Sequence, residues 1–205
     1  MNLILLGPPG AGKSTLINEW IKHVTNQGKK IGVICIDPTS PFNYGSLLAD
    51  RIRMVDHFNK ESVFIRSLAT RGSLGGLSAK TLEITDILKA FGFDQIIIET
   101  VGVGQSEVEI AGLADTTVLV LVPESGDEIQ AIKSGIMEIG DVFVVNKADR
   151  AGADNFVKNL SNALMPKPGS DWHPRIVKTS AVNGEGIEDL VSVVEDRKST
   201  RLNSS

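Results

Sequence analysis

Two periods of hydrophobicity alternate along this chain. Apolar runs without a polar period, Leu3 to Leu6, Ile31 to Ile36, Gln95 to Ile98, Thr117 to Val122 and Val142 to Val145, read as strands buried on both faces. Val63 to Ile65 and Arg175 to Lys178 are further strand candidates. Between the runs, apolar residues recur every three or four positions: Leu16, Ile17, Trp20, Ile21 and Val24; Leu82, Ile84, Ile87, Leu88 and Phe91; Phe156, Val157, Leu160 and Leu164; Ile187, Leu190, Val191 and Val194. This spacing predicts helices that each turn one face to a core. Ile129, Ile132, Ile136 and Ile139 show the same spacing, and a helix is also expected over Leu47 to Phe58. Gly28 and Gly92 supply C-terminal stops, Ser78 an N-cap, and the Gly- and Ser-rich stretch from Ala69 to Gly76 a loop. Strands alternating with helices imply an α/β fold, a mostly parallel sheet with helices on both faces.

Length and composition add bounds. With 205 residues, 41% of them apolar and 22% charged, one globular domain with a sizeable core is expected. A formal net charge of -4 favours neither a nucleic-acid surface nor an anionic membrane as partner. The single cysteine, Cys35, lies inside an apolar run and reads as a small core residue in a reducing, cytoplasmic setting. The first strand leaves no room for a signal peptide, and no apolar stretch approaches the length of a membrane span. The last ten residues, 196–205, break the apolar period of the preceding helix and back-translate to a common sequencing-adapter read, so the domain is expected to cover 1–195 and the remainder to be a non-native tail.

The chemistry starts at Gly7-Pro8-Pro9-Gly10-Ala11-Gly12-Lys13-Ser14, a complete G-x-x-x-x-G-K-S phosphate loop between the first strand and the first helix. Glycines let successive backbone N–H groups turn inward around a pyrophosphate, and the helix that follows, with Thr15 in its first turn, aims its positive end at the same anion. Lys13 is expected to bridge the outer phosphates and Ser14 to hold Mg²⁺. Asn146-Lys147-x-Asp149, after another buried strand, is the second signal. Guanine offers N1–H and N2–H₂ as a pair that the Asp149 carboxylate can accept, and adenine does not, which permits discrimination by roughly four orders of magnitude. Asn146 is expected to brace the loop, the Lys147 stem to lie on the purine face, and Ser180-Ala181 to turn a backbone N–H toward guanine O6.

Three carboxylates are candidates for holding Mg²⁺ and positioning water. Asp37 ends its strand before Pro38, Asp50 follows in a helical stretch, and Glu99 ends the strand before Thr100-Val101-Gly102. Gly102 is placed for a backbone N–H to meet a terminal phosphate. No glutamine directly follows Gly102, and Gln105 lies further along. His23, His57 and His173 share no spacing and read as ordinary residues.

Taken together, these segments resemble the P-loop GTPases of the SIMIBI class that act as metallocentre chaperones, and among them the MeaB/ArgK type. The resemblance runs from Leu3 to about Leu190 and includes Asp37-Pro38-Thr39-Ser40-Pro41, Asp50-Arg51-Ile52-Arg53-Met54, Phe64-Ile65-Arg66-Ser67 through Gly76, Glu99 through Glu107, and Asp127 through Lys133. It implies a GTPase, cycling between GTP and GDP, that chaperones an adenosylcobalamin-dependent mutase of the methylmalonyl-CoA type. Its switch loops would lie near Asp37 to Asp50, Glu99 to Glu107 and Glu124 to Lys133, with Lys13, Asp37, Asp50, Glu99 and Gln105 serving catalysis. Members of this family are homodimers joined by a C-terminal arm that this sequence does not contain. An amino-acid-transport kinase, after the ArgK label, and a nickel or zinc metallochaperone are the competing functions. Related metallochaperones carry Cys- or His-rich metal motifs, which this sequence lacks.

Overall fold

The computed structural model describes residues 1–37, 57, 60–69, 74–100, 111–124, 136–164 and 172–203. In chain order they form β1 (Asn2–Leu6), α1 (Lys13–Asn26), β2 (Ile31–Asp37), β3 (Val63–Ala69), α2 (Leu74–Ala90), β4 (Gln95–Thr100), β5 (Thr116–Leu121), α3 (Ile136–Ile139), β6 (Val142–Val145), α4 (Ala153–Ala163), β7 (Arg175–Lys178) and α5 (Ile187–Asn203). The strands make one seven-stranded sheet in the order β3-β2-β4-β1-β5-β6-β7, and every pairing is parallel. β1 lies mid-sheet between β4 and β5, with Leu5 opposite Glu99 on one side and Val118 on the other. After β4 the chain crosses to the far side of β1, so the carboxyl ends of β1, β4 and β6 open onto one crevice.

A parallel sheet of this kind must be covered twice, and the core divides accordingly. On one face Leu3, Leu5, Val33, Ile97, Val118 and Val144 pack against α1 and α5. On the other Ile4, Leu6, Ile34, Ile98, Leu119 and Val145 meet Leu88 of α2 and Phe156 and Leu160 of α4. The helical period of α1 is used as expected, since Leu16, Ile17, Trp20, Ile21 and Val24 are all fully buried. Gly28 follows its C-terminus at φ 73°, donating its N–H to Thr25 O.

Three elements depart from the sequence pattern. β3 extends past Ile65 to Ala69, because it pairs with β2 residue by residue to the end of that strand. α2 begins at Leu74, inside the stretch expected to be a loop, so Ser78 lies within the helix and is not its N-cap. Its inward side chains are Thr81, Thr85 and Leu88, whereas Leu82, Ile87 and Phe91 are 40%, 55% and 71% exposed. Apolar residues in that helix lie all round, and the buried stripe includes Thr81 and Thr85 as well as Leu88. α5 runs on through Asn203. Within it Arg197 lies 5.5 Å over the Trp172 ring and 3.4 Å from the Asp141 carboxylate. The helix expected over Leu47 to Phe58 and the start of the Ile129 to Ile139 period lie outside the described residues, apart from His57 and α3. No helix among the described residues is long and apolar enough to cross a membrane.

Candidate nucleotide-binding site

The loop from Gly7 to Gly12 leaves β1 and enters α1 by close backbone approach. Gly7 has φ 155°, and a Cβ there would stand 2.3 Å from Val120 O on β5. Gly12, at φ 87°, is the N-cap of α1, and a Cβ there would stand 2.4 Å from Asn146 Nδ2. Both positions therefore require glycine for space as well as for conformation. No side chain caps α1 and its first turn holds no acidic residue, so its N–H groups are left to an anion. The loop itself is closed by Ala11 N–H donating to Pro8 O at 3.2 Å. Lys13, only 7% exposed, donates through Nζ to Gly7 O at 2.7 Å and Pro8 O at 3.1 Å. That contact curls the ammonium over the loop where outer phosphate oxygens would lie.

Beside it, Ser14 Oγ donates to Glu99 Oε1 at 2.8 Å. Glu99 is 6% exposed at the carboxyl end of β4. A half-buried hydroxyl and a buried carboxylate at this separation form a set of hard oxygen donors, which suits a small divalent cation that keeps several waters. Asp37 ends β2 at Ala69 of β3, and Asp50, Gly102 and Gln105 lie outside the described residues. Of the metal candidates, the structure therefore brings Ser14 and Glu99 together.

The second half of the crevice is built on β6 and β7. Asn146, 2% exposed, donates from Nδ2 to Ala11 O at 2.8 Å, while its Oδ1 accepts from Thr179 Oγ1 at 3.0 Å and from Ala181 N–H at 3.1 Å. One amide thus binds the phosphate loop to the segment after β7. Lys147 adopts φ 57°, rare for a residue with a side chain, and Ala148 N–H donates to Thr179 O. Asp149 Oδ1 accepts from Ser180 Oγ at 2.7 Å, and Ser180 Oγ accepts in turn from Asn183 Nδ2 at 3.1 Å. The Ser180 hydroxyl, followed by the backbone at Asp149, holds the Asp149 carboxyl below the usual carboxylate range. Gly12, Thr15, Asn146, Asp149 and Ala181 line a common cavity of about 190 Å³.

A phosphate loop and an Asn-Lys-x-Asp corner locked by one amide form a single composite site. The family model described as methylmalonyl Co-A mutase-associated GTPase MeaB matches residues 2–204. The chain belongs to the MeaB family. A Pyrococcus horikoshii protein named as a GTPase is 52% identical to this MeaB-family chain over 200 residues, covering 95% of the chain and 62% of its own length. The crystal structure of LAO/AO transport system kinase superposes with a TM-score of 0.79 at 30% identity, covering all of the chain and 61% of that protein. The hydrogenase maturation factor HypB from Archaeoglobus fulgidus shares the fold at a TM-score of 0.66 and 21% identity, over 96% of the chain and 89% of HypB. The fold is thus that of the SIMIBI P-loop GTPases.

Several residues of this MeaB-family site have no signal in the sequence. Thr179 fixes the Asn146 amide from a neighbouring loop. Cys35, read as core, brings Sγ within 3.8 Å of Glu99 Oε2. Arg150 forms an ion pair with Glu124 just past β5, lowering the Glu124 carboxyl below its usual range. His57 is buried with its ring Nε2 2.9 Å from Asn18 Oδ1 of α1, the helix behind the phosphate loop. Each of these contacts joins residues distant in sequence, and only the folded chain reveals them.

Proposed function

We propose that this MeaB-family chain is a GTP-binding and GTP-hydrolysing switch that chaperones an adenosylcobalamin-dependent acyl-CoA mutase. The observation that carries the reading is Asn146, whose amide ties the guanine corner to the phosphate loop and so makes base identity and phosphate state parts of one site. Family membership supports the mutase as client, because the family description names methylmalonyl Co-A mutase. The chain spans 62% of the length of its Pyrococcus relative, and the partner is assigned on the family's name.

In this reading Asp149 accepts the paired guanine N–H donors while Ser180 keeps the carboxylate ionised and aimed. Ala181 N–H, which donates to Asn146 Oδ1 here, is assigned to guanine O6 when the base binds. Backbone N–H groups of the loop and the start of α1 hold the phosphates, and Lys13 exchanges Gly7 O and Pro8 O for phosphate oxygens. Ser14 and Glu99 would hold Mg²⁺, which neutralises charge on the phosphate oxygens when bound. Asp37, Asp50, Gly102 and Gln105 are assigned to ordering the metal waters, the terminal phosphate and the attacking water. Hydrolysis by the isolated chain is expected to be slow, since no glutamine directly follows Gly102 to orient water; a charge supplied by a partner at the phosphates is worth roughly 10³ to 10⁵ in turnover.

Single-turnover GTP cleavage, with and without a methylmalonyl-CoA-type mutase, tests the proposal. Slow cleavage that accelerates on adding the mutase is the expected result. Fast cleavage by the chain alone, indifferent to the mutase, overturns the switch reading. Transfer of the γ-phosphate to an amino acid instead of water would favour the kinase that the LAO/AO structure is named for.

A further inference from the structure

We infer that Cys35 is a positioning residue for Glu99 in the metal-holding pair, an inference that rests on the reading of Ser14 and Glu99 given above. Cys35 is the only residue of β2 before Asp37 that is neither aliphatic nor glycine. It stands opposite Glu99 of β4 on one side and Ser67 of β3 on the other. Residues paired in register across parallel strands project to the same face of a sheet, so Ser67, Cys35 and Glu99 form one polar row on the α1 side. Beyond Glu99 the row becomes apolar, with Leu5 next, then Val118 and Val142. The row ends where Ser14 meets Glu99.

Glu99 has two carboxylate oxygens with different surroundings. Oε1 accepts from Ser14 Oγ at 2.8 Å, and Oε2 faces Cys35 Sγ at 3.8 Å, within reach of a thiol donor. Cys35 is 4% exposed, so the contact is shielded from competing water. A buried carboxylate can rotate about its terminal torsion, which is broad and two-fold. A donor on one oxygen fixes that rotation and keeps the other oxygen turned to Ser14. Cys35 therefore acts on the metal through Glu99 and touches neither metal nor nucleotide.

The test is a Mg²⁺ titration of GDP binding, read by calorimetry on the full chain. Cys35→Val removes the donor at similar volume, Cys35→Ala removes it without adding bulk should the valine variant fail to fold, and Cys35→Ser restores a donor. The half-saturating Mg²⁺ concentration should rise about fivefold in the valine or alanine variant and return toward wild type in the serine variant. GDP affinity in EDTA should stay within about twofold throughout, which a merely loosened core would not do. An unchanged Mg²⁺ requirement in Cys35→Val or Cys35→Ala, while Glu99→Gln raises it more than about tenfold, overturns the role of Cys35 and leaves the metal reading intact. No change in Glu99→Gln either means that Glu99 does not serve the metal, and both fall.

Discussion

Asp149 is fully open to solvent, yet its carboxyl is held below the usual carboxylate range, first by the Ser180 hydroxyl and then by its own backbone. A carboxyl lowered in this way stays ionised as pH falls through the ordinary carboxylate range, and loses its charge only below it. GDP affinity is therefore expected to be flat from neutral to mildly acid pH. In Ser180→Ala the fall in affinity should begin at higher pH, because the first cause of the shift is gone; an identical pH profile in calorimetric titrations would contradict this. Asp149→Asn puts a donor against the guanine N2–H₂ and should weaken GDP binding on the order of a hundredfold or more, measured the same way. The sequence displayed this arrangement because its spacing is its geometry: four adjacent residues form the corner, and eight form the loop. It did not display Thr179 or the contact from Cys35 to Glu99, which arise where β2 lies beside β4 and where the chain leaves β7. Nor did it show that Gly12 is indispensable because Asn146 lies against it.

At the scale of elements, α1 and α2 show what helical spacing can and cannot decide. In α1 the apolar positions form one stripe, and the stripe is the buried face. In α2 they do not, and Thr81 and Thr85 take the core positions that Leu82 and Ile87 compete for. Thr85 Oγ1 donates to Leu82 O at 2.8 Å, a bond within the helix that makes its burial tolerable. Thr81 Oγ1 is fully buried and has no such partner among the described residues. Thr81→Val keeps the shape and removes the orphaned hydroxyl, so it should raise stability by about 1 kcal/mol in urea unfolding. Leu88→Ala should cost about 2 to 4 kcal/mol, and Phe91→Ser, at an exposed position, less than about 0.5 kcal/mol. A destabilised Thr81→Val would mean that the hydroxyl has a role in the core after all. The two glycines at the start of α2, Gly75 and Gly76, explain why the stretch reads as a loop: each costs a helix about 1 kcal/mol against alanine.

Across the whole molecule, a two-faced parallel sheet brings the carboxyl ends of β1, β4 and β6 to one crevice, and two side chains bind its parts together. Glu99 reaches Ser14 from β4, and Asn146 reaches Ala11 and Ala181 from β6. The alternation of apolar runs and helical periods made the fold legible, but not the order of the strands. Nothing in the runs themselves says that β4 inserts between β1 and β2, and it is this crossing that puts Glu99 beside the phosphate loop. Asn146→Ala strips hydrogen bonds from the buried Ala11 O and Ala181 N–H at once, and should destabilise the protein by about 2 to 4 kcal/mol in urea unfolding. A stability within experimental error of wild type would show that the two halves hold together without the amide. The account as a whole stands on guanine-nucleotide selection by this composite site. Calorimetric titration of the wild-type chain with GDP and with ADP, both in excess Mg²⁺, measures it directly. GDP should bind more tightly than ADP by about three orders of magnitude or more, whereas equal affinities for the two nucleotides would contradict it.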